Sequence, residues 1–459
     1  MKSLSPNRQD HALASIISFL FLDLIISALF SSLSIFLVGA IGTVLVFLLR
    51  PEVDGRIFRV LFAIKILTLL SVLLTYYNCE SLFSQPYYIG GSDDLHSETD
   101  AYDFVKYHYK WPWDWPMLVK DKGFIWILAY LIKFTGVNSY HTVAFRVLNE
   151  DVLIATAVLC YRISKYRFDF NKKQAVTLLS VVALFPNSLY LSSFVFRDTI
   201  CAFLMLLVFV LCDDFFRKKE QHCILLNSKL GIIILIASDL FLSFWLRPEA
   251  LLFDLVIIGL SVLRDKNIKG KNIVYIILSF ALLLFVFNKI GAFDTVNDTI
   301  EVYSEFRLDE TSNSNNVIFK LIFTLPLLPF GIILRFIWGL LSPFPTQIAN
   351  IITMFTQPTD IFGIIVAIGM IPYYFYMPFL FKNIISRIDK YLLTFLVIFG
   401  GYIISTFTFR HVLLFYPFLW LILTRNYYKS SFKERITIKH YSLIALLMLP
   451  FLYLITKIL

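Results

Sequence analysis

Hydrophobic and polar positions divide the chain into long apolar runs separated by short polar segments. About 20 apolar residues span a hydrocarbon core of about 30 Å, and fewer suffice where neighbouring protein buries the ends. On that measure the pattern predicts membrane-spanning helices at roughly 12–30, 33–49, 58–76, 143–161, 174–191, 199–213, 229–246, 250–263, 273–289, 361–381, 391–408, 412–424 and 441–457. The expected fold is all-α, a polytopic helical bundle of about 13 spans with bounds of about 11 and 15. Two stretches fall outside the regular count. Residues 123–135, GFIWILAYLIKFT, reach only about 20 Å as a helix, so they read as a juxtamembrane or re-entrant helix. Residues 318–358 are apolar but interrupted by Pro326, Pro329, Arg335, Pro343 and Pro345, and add either no crossing or two. The organisation that follows is N-terminal spans at 1–76, a polar loop with its short helix at 77–142, a core of spans at 143–289, an acidic loop at 290–317 and a C-terminal membrane region at 318–459.

Composition agrees with the pattern. Hydrophobic residues make up 58% of the chain and charged residues 16%, and mean hydropathy is +0.75, too little polar surface for a soluble protein of this size. A net charge of +9 would suggest a nucleic-acid partner in a soluble protein, but here its placement argues against one. The basic clusters, among them Arg50/Arg56/Arg59, Arg162 to Lys173, Arg217 to Lys219, Arg264 to Lys271 and Arg425 to Lys439, sit in short loops between apolar runs. The positive-inside rule makes those loops cytoplasmic, with the N-terminus, and the acidic loops extracytoplasmic. A second apolar run directly after Ser31 and Ser32 makes the first one an uncleaved hairpin rather than a secretory signal. The five cysteines are scattered, without CxxC spacing, and read as packing residues.

No nucleotide, dinucleotide or zinc-protease string occurs, so the energy for any reaction must come with the substrate or from an ion gradient. Two residue sets carry candidate chemistry on the outer face. In the loop 77–122, the Gly90/Gly91 turn presents Asp93 and Asp94, adjacent carboxylates suited to a general base or a divalent metal, or simply part of a solvated acidic loop. Trp111, Trp113 and Trp115 further along the loop read as interfacial anchors or as faces on which sugar rings stack. The second set is arginine at the outer ends of spans: Arg146, Arg197, Arg247, Arg335 and Arg410, the last followed by His411. Taken singly, Arg197 is explained by an ion pair with Asp198, and Arg410 by a lipid headgroup. Five on one side point to a phosphate or diphosphate pocket, because the guanidinium fork is bidentate and always charged.

The order GGSDD, FRVLNEDVL, FPNSLYLSSFVFRDTI, WLRPEA, SPFP and FRHVLLFYPFLWLI, over residues 55–425, resembles the GT-C class of membrane glycosyltransferases. Within it, the chain is similar to the bacterial members that build surface polysaccharide, including Wzy-type O-antigen polymerases. In that class an Asp of the first long outer loop is the catalytic base or a metal ligand, and Asp93 and Asp94 match it, although here the loop follows the third apolar run. The resemblance implies a bacterial inner-membrane enzyme of O-antigen or capsule synthesis. It would move a sugar or repeat unit from a polyprenyl (di)phosphate carrier to a glycan acceptor on the extracytoplasmic face, alongside polysaccharide-assembly proteins. One carboxylate would deprotonate the acceptor hydroxyl, and Arg197, Arg247 and Arg410, with Arg146 and Arg335 next, would stabilise the departing phosphate.

The rival expectation is a transporter or flippase of lipid-linked oligosaccharide, and a non-catalytic assembly subunit stands beside it. Against a transporter, the chain has no internal repeat, and the charges near midspan are few: Asp23, Lys65, Asp239 and Asp254.

Overall fold

The computed structural model describes residues 6–49, 52–91, 93–107, 123–135, 142–217, 222–224, 228–263, 322–326, 330–341, 360–386, 389–405 and 409–458. The expected span 273–289, the acidic loop 290–317, Trp111, Trp113 and Trp115, and most of 318–358 lie outside the described residues. Every regular element among those described is helical. Among the described residues four helices are long and apolar enough to cross a membrane, or five if one bent pair is a single span. The chain divides into two compact units, one formed by 1–268 with 350–365 and the other by 269–349 with 366–459.

The first unit contains α1 (Pro6–Leu29), α2 (Leu33–Leu48), α3 (Gly55–Phe83), α4 (Asp93–Tyr107), α5 (Gly123–Thr135), α6 (Thr142–Arg167), α7 (Lys172–Leu184), α8 (Pro186–Ser192), α9 (Asp198–Phe215), α10 (Lys229–Leu246) and α11 (Pro248–Leu263). Helix boundaries follow local chemistry. The Asp54 carboxylate accepts from the Arg56 and Ile57 amides to start α3. Asn171 and Gln174 form a reciprocal capping box on α7, and Ser228 caps α10 through the Gly231 amide. Pro186 cannot continue α7, and the chain bends by 46° into α8. Apolar side chains left facing outward line α1 (Leu13, Ile17, Phe21), α2 (Leu37, Ile41, Leu48) and α10 (Ile233, Ile234, Phe241). In water such stripes would be a liability; against hydrocarbon they are the expected exterior.

Ion pairs gather the helix ends into two groups. At one end, Glu52 meets Lys165, Asp54 meets Lys172, and Arg167 meets Asp213 and Asp214. These contacts tie the start of α3 to the end of α6, the start of α7 and the end of α9. At the opposite end lie the loop after α3, the start of α6, the α8–α9 break and the α10–α11 turn, joined by hydrogen bonds described below. Helix α5, 13 residues long, belongs with that second end. Its Trp126 meets Phe104 of α4 at 4.4 Å between ring centroids, Phe124 meets Phe145 of α6, and Gly123 lies against Trp245 of α10.

Midway along the bundle, three charged side chains are fully buried. Lys65 Nζ of α3 lies 2.7 Å from Asp23 Oδ1 of α1 and 2.7 Å from Asp151 Oδ1 of α6, while Thr43 of α2 donates to Asp23. Helix α2 reaches this site only because Gly39 and Gly42 lack side chains. A Cβ would stand 2.5 Å from Asp23 Cγ at the first and 2.4 Å from Asp151 Oδ2 at the second.

The second unit includes α12 (Ile332–Leu341), α14 (Phe379–Ser386), α15 (Lys390–Ser405), α16 (Val412–Lys429) and α17 (Phe432–Ile458), while α13 (Ile361–Tyr376) begins in the first unit. Helix α16 is buried from Val412 to Asn426, and its Phe415 meets Phe395 and Phe399 of α15 edge to face. Helix α17 turns Leu443, Ile444, Leu447 and Met448 outward.

The buried triad generates a stability prediction. Lys65→Met strands two carboxylates and should destabilise the fold by about 3–5 kcal/mol. Adding Asp23→Asn and Asp151→Asn should recover most of that loss. Thermal unfolding in detergent checks both; equal instability of the single and triple variants would show that Lys65 acts through its alkyl stem.

Candidate functional site

The two adjacent carboxylates have different environments. Asp94 is fully buried, and its oxygens accept the amides of Tyr88 at 2.8 Å and Leu95 at 3.0 Å. It therefore fixes the 3₁₀ turn Tyr88–Gly90 against the start of α4. Burial raises its carboxyl above the ordinary range, while the Tyr88 amide, the Arg146 guanidinium and the Leu95 amide pull it back only in part. Asp93, one residue earlier and about 100° around the helix, is exposed. Beneath them, Tyr87 donates to Glu98 at 2.9 Å; burial, and then that carboxylate, raise the phenol.

Arg146 is wholly buried. It donates to the carbonyls of Pro86 and Ser193 and lies 5.2 Å from the Phe194 ring centroid and 5.8 Å from that of Tyr76. One turn along α6, Asn149 donates to the carbonyls of Phe194 and Phe196 at 2.8 and 2.9 Å. Glu150 accepts from Ser193, which also meets Ser71 of α3. This face of α6 thus carries the donors and acceptors that the non-helical stretch 193–197 needs. The stretch delivers Arg197 and Asp198 to the start of α9.

There the Arg247 guanidinium, also wholly buried, binds Asp198 through Nη1 and Glu249 through Nε. Arg197 is half-buried and donates to the Leu246 carbonyl at 2.9 Å. The structure therefore brings Arg197 and Arg247 to one helix turn, and Asp198 serves Arg247 across 49 residues.

The other expected arginines belong to the second unit. Arg335 is buried, donates to the carbonyls of Phe323 and Leu325 at 3.1 Å and lies over the Phe323 ring. Arg410 is half-buried in the 3₁₀ turn Phe409–His411. His411 is buried with its ring 4.9 Å from that of Tyr402.

One acidic residue escapes the sequence reading. Asp360, just ahead of α13, lies near enough to Cys79 and Tyr190 to act on both, as Asp94 does. Its signal was an aspartate standing directly before an apolar run. Among the described residues no group of three or more His, Cys, Asp or Glu side chains is arranged to hold a metal ion, and both oxygens of Asp94 are engaged by amides. The described residues do not fit a divalent ion at Asp93 and Asp94. Comparison of the chain with family models, with curated proteins and with solved structures returns no match.

Asp94 yields a pH prediction. Its folded carboxyl is raised, so its contribution to stability is complete below the ordinary carboxylate range and is lost as pH rises through the raised value. Hydrogen exchange at the start of α4, corrected for intrinsic rates, should lose protection over that interval in the wild type and stay level in Asp94→Asn. A wild-type profile as flat as that of the variant would contradict the assignment.

Proposed function

We propose that the chain is a lipid-carrier-dependent membrane glycosyltransferase, acting at the end of the bundle that carries α4, α5 and the α10–α11 turn. The observation that carries this reading is the polar layer at that end. An exposed Asp93 begins α4, and a fixed network of Arg146, Asn149, Arg197, Asp198 and Arg247 lies at the same end of the same unit. The basic residues of the other end, Lys165, Arg167 and Lys172, make it the cytoplasmic one by the positive-inside rule, which leaves the polar layer outside in a bacterial inner membrane.

In this reading Asp93 takes the proton of the acceptor hydroxyl as that oxygen attacks the anomeric carbon, and the sugar–phosphate bond breaks with its electrons leaving on the phosphate. Arg197 is half-buried where Arg146 and Arg247 are wholly buried, so of these three it is the one a departing charge can reach. Arg146 and Arg247 hold backbone and carboxylates in place, so their part is to shape the pocket. The donor is a sugar or oligosaccharide on a polyprenyl (di)phosphate, the acceptor a growing surface glycan such as O-antigen or capsule, and the bundle of about 13 spans is GT-C-like.

A second reading, a transporter or flippase of the same lipid-linked oligosaccharide, is favoured by the carboxylates buried along the spans, Asp23, Asp151, Asp239 and Asp254. Release of polyprenyl diphosphate from a lipid-linked oligosaccharide by the purified protein decides between them, since transport leaves that bond intact. For the enzyme, Asp93→Asn should lower turnover by about 10² or more with folding unchanged. Arg197→Lys should bind donor several-fold more weakly, because Lys keeps the charge and loses the fork. Full activity in both variants would remove these residues from the mechanism.

Orientation has its own test. The native cysteines are all buried, so a new thiol dominates labelling. A cysteine replacing exposed His96 should react with an impermeant maleimide in whole cells, and one replacing exposed Asp169 only after permeabilisation. The reverse pattern would invert the topology.

A further inference from the structure

Helices α10 and α11 form a hairpin whose turn is Arg247. Asp239 lies eight residues before that turn and Asp254 seven after it, placing the two carboxyls about 12 and about 10 Å down the hairpin, at nearly one depth. Asp239 is 2% exposed and Asp254 not at all, in a hairpin otherwise lined by Leu, Ile, Val and Phe. Ser243, one turn beyond Asp239 on the same face of α10, is equally buried. All four carboxyl oxygens and the Ser243 hydroxyl are shut off from solvent without a hydrogen-bond partner. The two carboxyls interact electrostatically, and Ser243 acts on Asp254.

Among the described residues no basic group balances this pair. On α9, which packs against both helices, Cys201 senses Arg247, Asp198, Arg197 and Glu249 at the turn. Asp213 and Asp214 lie at the far end of α9 with Arg167. On α5, packed against α10, the titratable groups are Tyr130 and Lys133, and neither acts on Asp239 or Asp254. The contrast with Asp23 and Asp151 is direct: those two carboxylates share Lys65.

Two ionised carboxylates facing each other in an apolar hairpin would combine an uncompensated desolvation cost with mutual repulsion. A bound cation relieves both. Sodium needs several oxygens at once, and the membrane sites that hold it draw on unwound backbone carbonyls, whereas α10 and α11 are uninterrupted helices whose carbonyls are committed to their own turns. A proton needs only two oxygens.

We propose that Asp239 and Asp254, with Ser243 beside them, form a proton-binding carboxyl pair inside the membrane. At neutral pH the pair holds at least one proton, donated from one carboxyl oxygen toward the other, with the Ser243 hydroxyl as a further partner for Asp254. Loading or unloading the proton changes the charge between α10 and α11, a few turns below Arg247 and Glu249. The site stands independently of what the outer end of the bundle does, and its test uses no turnover.

The test is infrared spectroscopy of the full chain reconstituted in lipid, comparing wild type with Asp239→Asn and with Asp254→Asn at neutral pH. The expected result is a protonated-carboxyl C=O stretch that at least one variant removes. It should disappear as pH is raised and be indifferent to replacement of choline by sodium. Absence of any such band assignable to either residue would overturn the proposal, and a band lost on adding sodium would replace the proton site by a sodium site. To keep the test independent of how the variants fold, the unaltered protein is also treated with the membrane-permeant dicyclohexylcarbodiimide. This reagent adds across a protonated carboxyl to give a stable N-acylurea, read by peptide mass. An adduct on Asp239 or Asp254 that declines with rising pH supports the site; labelling of other buried carboxyls with neither of these modified counts against it.

Discussion

A lysine between two aspartates, buried midway along a helical bundle, sets conditions for much of the first unit. Removing three charges from water costs far more than any one packing contact returns, so Lys65, Asp23 and Asp151 must meet with good geometry or the fold fails. Meeting fixes the depth of α1, α3 and α6 relative to one another. It also requires α2 to pass close by, which Gly39 and Gly42 permit and any larger residue would prevent. Once α6 is held at that depth, the turns of the same helix just before Asp151 present Arg146, Asn149 and Glu150 at one height. The α8–α9 break then has donors and an acceptor waiting for its free backbone and side-chain groups. The charge cluster in the middle and the polar layer at the end are two consequences of how one helix is placed.

The parts of this arrangement that sequence made legible are those with a short-range cause. Apolar runs and caps mark helices, and apart from α4, which forms within the stretch read as a polar loop, the described helices from α1 to α11 lie where runs were expected, with 123–135 short as its length required. The 174–191 run is broken at Pro186, a residue whose effect is local. Partners distant in sequence were not legible. Asp198 stands beside Arg197 in the chain, but its ion pair is with Arg247, because the α10–α11 turn returns there. Lys65 and Asp151 are 86 residues apart, and nothing in either neighbourhood names the other. The pair Asp93 and Asp94 shows the same limit at the smallest scale. Both have the right chemistry, yet adjacent helical positions point about 100° apart, so one is drawn into the fold as an acceptor of amides and one remains outside.

Chemically, the arginines divide according to what already occupies them. A guanidinium bound to two carboxylates, as Arg247 is, presents little net positive charge to a passing anion. One bound to neutral carbonyls, as Arg146 and Arg335 are, keeps its charge but commits its N–H groups. Outer-end arginine in a membrane protein is therefore not a count of phosphate ligands. Such residues often hold non-helical backbone that the bilayer would not otherwise tolerate. Of the three candidate arginines in the first unit, Arg146 and Arg247 are wholly buried and Arg197 is half-buried, a narrower expectation than five arginines converging on one ligand.

The same accounting separates the two sets of buried carboxylates. Around Lys65 the cation is covalently part of the chain, so the charge balance is fixed when the protein folds and the cluster acts as a structural joint. Between α10 and α11 the described residues supply acids and a hydroxyl but no base, so the balance is left to something that can leave again. A permanent counter-charge there would have been available from a single lysine substitution on α9 or α5. Among the described helices packed against the hairpin, its absence distinguishes a joint from an exchangeable site, and it does so without reference to what is bound at the end that carries α4 and α5.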